Sequence, residues 1–268
     1  MNAGPPSKAA SPLADVAVAV GFLTVVPVPA RAWKEPATFG RSFAWFPLVG
    51  AALGCVLVAA AFGLDIFLPA PVVAALLVAL GVLLTGGLHL DGLMDACDGL
   101  FCARPPEERL EIMRDSRVGA FGVLGAVCLL LVKYATLSSL VDGGRGLLLA
   151  GLVLAPGLGR WAMVAAVVCF PYGRPGETLG AIFRGEAGPR QLVAASASVL
   201  LLAAVVYLWQ GGWIGFYGVL LTGGAILTYG LARFALSRLP GLTGDVYGAI
   251  GEVVETAGLV AFVAWYAS

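Results

Sequence analysis

The sequence predicts an all-α, polytopic membrane helix bundle: about seven transmembrane helices and an N-terminal re-entrant or interfacial helix. Two observations carry that expectation. Of 268 residues, 60% are hydrophobic and only 12% charged, against about half and a quarter in soluble domains. The apolar residues also fall into runs near the ~20 residues that cross the hydrocarbon core. Formal net charge is zero, so bulk charge gives no case for nucleic acid as a partner.

Residues 1–12 are polar and rich in Pro, Ala and Ser, and lack the basic, apolar and small-residue order of a secretory signal. They are expected to form a disordered N-terminus, with residues 13–268 as one integral membrane catalytic domain. The run from Leu13 to Pro29 is short, carries Asp15 and ends in Val-Pro-Val-Pro, which gives the re-entrant or interfacial helix. Seven spans follow at roughly 43–64, 70–88, 119–140, 146–170, 191–209, 212–232 and 246–266. Gly86-Gly87 and the glycines near 119–125 and 241–251 read as small-residue stripes that let helices approach.

Alternating these spans sorts the connections by charge. One side receives Arg31, Lys34 and Arg41, then Arg104, Arg109, Arg114 and Arg117, then Arg174, Arg184 and Arg190, then Arg233 and Arg238. The opposite turns carry Arg145 alone. The positive-inside rule places the basic side in the cytoplasm, here a bacterial inner membrane. The opposite turns are short, so chemistry is expected at the cytoplasmic face. The five cysteines form no CxxC pair and read as small buried hydrophobes.

The chemistry concentrates in Thr85-Gly-Gly-Leu-His-Leu-Asp-Gly-Leu-Met-Asp-Ala-Cys-Asp-Gly-Leu-Phe101. Asp91, Asp95 and Asp98 are spaced i, i+4, i+7, one face of a helix. Three like charges at a membrane edge repel one another unless a cation sits among them. Hard oxygen ligands of this kind suit Mg²⁺ or Mn²⁺. His89, the single histidine, borders this face as ligand or general base, as an orienting group, or as an incidental residue.

Arg114 and Arg117 are fork-shaped donors suited to phosphate oxygens. Asp115 and Ser116 lie between them, and Ser116 is placed to cap the next helix. A second acidic set follows in Gly241-Leu-Thr-Gly-Asp245 and Glu252 to Glu255. Asp245 and Glu252 share a face, and two glutamates in an apolar span call for a partner: a shared metal, or Arg114 or Arg117. The turn-rich loop Pro171–Gly180, with Arg174 and Glu177, is a candidate lid or substrate contact.

Taken together, these segments resemble the cobalamin synthase family, adenosylcobinamide-GDP ribazoletransferase. The matching residues are Gly21-Phe-Leu-Thr, Pro27-Val-Pro, Phe46-Pro-Leu-Val-Gly50, the HLDGLxDxxDG stretch from His89 to Gly99, Glu111-Ile-Met-Arg-Asp-Ser-Arg-Val-Gly119 and Leu242-Thr-Gly-Asp245, in family order. The resemblance implies the late nucleotide-loop assembly step of cobalamin biosynthesis. A hydroxyl of α-ribazole, or of its 5′-phosphate, attacks adenosylcobinamide-GDP with Mg²⁺, and GMP leaves. In that scheme Asp91, Asp95, Asp98, Asp245 and Glu252 hold the metal, and Arg114 and Arg117 stabilise the leaving group. Arg114 to Arg117, Thr243 and Gly244 contact substrate, while His89 or a free aspartate takes the proton.

Two rivals remain. A CDP-alcohol phosphotransferase-type lipid synthase also uses membrane-edge aspartates, and Asp98-Gly-Leu-Phe-Cys-Ala-Arg104 echoes its pattern without the later aspartate pair. A cation transporter would carry its ionisable residues in mid-span; here the densest acidic set lies at the edge beside arginines.

Overall fold

The computed structural model describes residues 11–33, 36–174 and 187–267. Of the segment 1–12 expected to be disordered, residues 1–10 lie outside them, as does most of the candidate lid, whereas Ser11 and Pro12 are ordered as the start of the first helix. The described residues are helical, without strands: α1 Pro12–Leu23, α2 Pro36–Ser42, α3 Phe46–Leu64, α4 Ala70–Thr85, α5 Leu88–Phe101, α6 Pro106–Ile112, α7 Ala120–Asp142, α8 Arg145–Cys169, α9 Pro189–Gln210, α10 Ile214–Leu236 and α11 Gly244–Tyr266. Among the described residues, six helical stretches are long and apolar enough to cross a membrane, α7 to α11 and the stretch 38–64, which contains α3; the bent pair of α4 and α5, counted as one span, makes seven. The short α1 takes the place of the expected interfacial helix.

The expected span at 70–88 differs. It breaks into α4 and α5, bent by 92°. At 1.5 Å per residue α4 covers only about 24 Å, short of the ~30 Å hydrocarbon core. Gly86 and Gly87 make the break, with φ of 62° and 70°, a region that side chains disfavour. Their N–H groups close the last turn of α4 on the carbonyls of Leu83 and Val82. The chain leaving α1 braces the corner, with Val25 N–H donating to the Leu84 carbonyl at 2.9 Å. These two glycines are a hinge, not a packing stripe, and they set α5 at 92° to α4.

Helix α8 is the buried centre, packed on α3, α9 and α11. Glycines bring the backbones together there. A side chain at Gly50 would lie 2.5 Å from the Pro156 carbonyl oxygen, and one at Gly159 2.7 Å from that of Gly251. Helix α5 lies on α11 in the same way: a Cβ at Gly92 would sit 3.0 Å from the Asp245 backbone. Cys97 is buried as expected, but Cys55, Cys128 and Cys169 are exposed. In a membrane protein an outward small apolar residue meets lipid, so the expectation of burial was drawn from the wrong solvent.

Candidate active site

Two helix starts and one loop build the site. Helix α5 begins at the glycine hinge and brings His89, Asp91 and Asp95 with it. Helix α11 begins at Thr243, whose hydroxyl accepts from Val246 N–H and donates to Asp245 Oδ2 at 3.2 Å. The chain after α8 is zipped to the chain before α11: Gly173 N–H donates to the Leu242 carbonyl and Leu242 N–H to that of Pro171, each at 2.8 Å. This pairing presents Arg174, whose Nη2 donates to Asp245 Oδ2 at 2.6 Å.

A cavity of about 280 Å³ opens where these pieces meet, lined by His89, Asp91, Gly92, Arg174, Gly244 and Asp245 on one side. Asp95 lies within electrostatic reach of Asp91, Asp98, Asp245 and Arg174. Carboxylates distant in sequence thus converge around one guanidinium. His89 is buried, and its Nε2 has no hydrogen-bond partner among the described residues.

Other predicted residues sit elsewhere. Asp98 belongs to the acidic face, but its Oδ2 accepts from Gly119 N–H at 2.7 Å and its Oδ1 from Gly122 N–H at 2.8 Å. It is the cap of α7, the role expected of Ser116, which is exposed. Glu252 lies seven residues along α11 from Asp245, about 10 Å deeper. Its Oε2 accepts from Lys133 Nζ at 2.7 Å. Glu255 accepts from the same ammonium at 2.9 Å and from Arg160. The partners of the buried glutamates in the structure are therefore Lys133 of α7 and Arg160 of α8, not Arg114 or Arg117. Arg114 and Arg117 are exposed and do not line the cavity. Arg117 is bound by Asp115, with Nη2 to Oδ2 at 2.6 Å, and that contact holds the Asp115 carboxyl below its usual range.

Three basic residues, Arg109, Lys133 and Arg160, escaped the site reading, and a fourth, Arg174, was read only as part of a candidate lid or substrate contact. Arg109 donates to the carbonyls of Gly99 and Leu100 and closes the end of α5. Lys133 and Arg160 were visible as charges inside apolar runs, the signature of functional or paired residues. Arg174 stood in the turn-rich loop, where nothing local tied it to Asp245.

The carboxylates of the site are oxygen donors of the kind that a hard divalent cation takes. Among the described residues no three His, Cys, Asp or Glu side chains are grouped tightly enough to enclose an ion alone. Mg²⁺ typically takes one or two carboxylates and completes its shell with water and substrate phosphate, which Asp91, Asp95 and Asp245 can accommodate.

The family model described as Cobalamin-5-phosphate synthase matches residues 15–263. The chain belongs to this family. Among its relatives, proteins named Adenosylcobinamide-GDP ribazoletransferase are 38% identical in Roseiflexus sp. (strain RS-1), covering 92% of this chain and 88% of the relative. In Pseudomonas putida (strain W619) the identity is 41%, covering 89% and 93%. In Desulfitobacterium hafniense (strain Y51) it is 40%, covering 89% and 92%. No solved structure matches the chain. The stretches that carry the cobalamin synthase resemblance, His89 to Gly99 and Leu242 to Asp245, are those that meet at the cavity.

Proposed function

We propose that this protein joins α-ribazole, or its 5′-phosphate, to adenosylcobinamide-GDP with release of GMP. The new bond runs from the ribazole hydroxyl oxygen to the cobinamide-side phosphorus, and the bond from that phosphorus to the GMP oxygen breaks. The hydroxyl proton passes to His89 or to a carboxylate of the site, and GMP leaves as the anion. The observation that carries this reading is the meeting of Asp91, Asp245 and Arg174 at one cavity, with Asp95 within electrostatic reach of all three. Phosphoryl transfer is mostly positioning and neutralisation of charge, and that set can do both.

Asp91, Asp95 and Asp245 would hold Mg²⁺, which supplies neutralisation of the diphosphate when bound. Arg174 binds a phosphate oxygen from the loop side. Arg114, Ser116 and Arg117, exposed on the same side, reach the nucleotide outside the cavity. The basic loops lie in the cytoplasm of a bacterial inner membrane, so the site faces the cytoplasm.

A donor comparison tests this reading. Purified protein given α-ribazole is expected to consume adenosylcobinamide-GDP and to leave a CDP-activated lipid intact. Turnover of the CDP-lipid would move the chain to the lipid-synthase class. Metal flux into vesicles without turnover of either donor would make it a transporter.

A further inference from the structure

A larger groove lies away from the acidic site. About 580 Å³ opens between α5, α7, α10 and α11, lined along α11 from Val246 to Val260, about 21 Å of helix. Three of these helices, α7, α10 and α11, are long and apolar enough to cross a membrane. The wall is aliphatic and aromatic apart from the thiols of Cys97 and Cys128 and the hydroxyl of Thr256, which donates to the Glu252 carbonyl at 2.8 Å. One end differs. There Phe101 packs on Phe121, in the first turn of α7, and on Phe234, near the end of α10, at 6.1 and 5.8 Å between centroids. Just past them Arg238 lays its guanidinium 3.9 Å from the centre of the Phe234 ring. Its Nη1 donates to the Ser237 hydroxyl at 3.0 Å, and among the described residues no carboxylate pairs with it.

We infer that this groove is the binding site of one anionic phospholipid, with an acyl chain along α11 and the phosphate on Arg238. Size decides against a helix from a second copy. A helix 10–12 Å wide would fill about 2,000 Å³ over the same length, more than three times the groove. An acyl chain is a single file of methylenes and asks for nothing but apolar contact, which this wall supplies. Apolar contact does not choose among lipids, because the surrounding bilayer is equally apolar. The headgroup makes the choice. Arg238 is a fork-shaped donor to phosphate oxygens with no acidic partner of its own, so it favours a headgroup of net negative charge. A zwitterionic headgroup brings its own cation and gains less. The site stands apart from the carboxylate cavity and does not depend on the transferase reading. It has a consequence for that cavity nonetheless. Leu93, Ala96 and Leu100 line the groove on the helix that carries Asp91 and Asp95, so a bound lipid packs against α5 and α11 together.

Native mass spectrometry of the full chain tests this, with the protein released from micelles that contain phosphatidylglycerol and phosphatidylcholine in equal amounts. One phosphatidylglycerol is expected to stay bound, preferred about fivefold over phosphatidylcholine, as ~1 kcal/mol for one arginine near an anionic lipid gives. Arg238→Gln, a change past the end of α10 that can fold, should bring that ratio to about one. Ala257→Phe fills the groove from a partly exposed position and should remove the retained lipid of either kind. Equal retention of the two lipids by the wild-type protein, or a preference that survives Arg238→Gln, overturns the inference. So does a lipid that stays on Ala257→Phe. A dimer that Ala257→Phe splits would put a second copy in the groove and overturn it as well.

Discussion

At the scale of the residue, neighbouring carboxylates have different work. Asp95 sits among Asp91, Asp98, Asp245 and Arg174, while Asp98 spends both oxygens on α7 N–H groups. Asp95→Asn should lower turnover about 10²-fold or more and leave the thermal midpoint in detergent unchanged. Asp98→Ala should cost about 1–2 kcal/mol as a lost helix cap, read as a lower midpoint, because one buried and one half-buried N–H group lose their acceptor. Equal loss of turnover with equal midpoints would erase the distinction. The i, i+4, i+7 spacing made the shared face legible in the sequence. It held no trace of which aspartate the start of α7 would claim, because Gly119 and Gly122 reach Asp98 only after the chain has folded back.

At the scale of the element, the buried ion cluster and the glycine hinge are decisive. Lys133 holds Glu252 and Glu255 in the bundle. Lys133→Met should destabilise by about 3–5 kcal/mol, the cost of stranding buried charge, measured by unfolding in mixed micelles. Adding Glu252→Gln should recover part of that loss. Full stability of the single variant would show that the cluster does not brace α7, α8 and α11. The hinge gives a second test. Gly86→Ala and Gly87→Ala should each cost about 1–2 kcal/mol, since both positions are left-handed, and should lower turnover because α5 carries Asp91 and Asp95. The spans were legible because hydrophobic run length is a local property. The hinge was not, because Gly-Gly is equally at home in a packing stripe, and only the fold shows that the chain turns by 92° there. The partners of Glu252 and Glu255 were likewise hidden: Lys133 and Arg160 are about a hundred residues away and share no local pattern with them.

At the scale of the whole molecule, the site depends on sidedness. The starts of α5 and α11 and the loop after α8 meet at one edge, on the side where the basic loops gather. Cys102 closes α5 on that side and is partly exposed. An impermeant maleimide should label Cys102 in inverted vesicles and spare it in intact cells; labelling in intact cells would reverse the orientation. The choice of Arg174 over Arg114 and Arg117 as the cavity's guanidinium is also a property of the whole, since its loop is positioned by backbone pairing with Leu242.

The most direct measurement is turnover by the detergent-purified protein, given adenosylcobinamide-GDP and α-ribazole with Mg²⁺ or with EDTA, following GMP and the corrinoid product together. GMP release that requires Mg²⁺ and is matched mole for mole by cobalamin is the predicted result. In a preparation shown to be folded, no product with Mg²⁺ present, or equal product in EDTA, would contradict a metal-assisted transfer at the Asp91, Asp95 and Asp245 site.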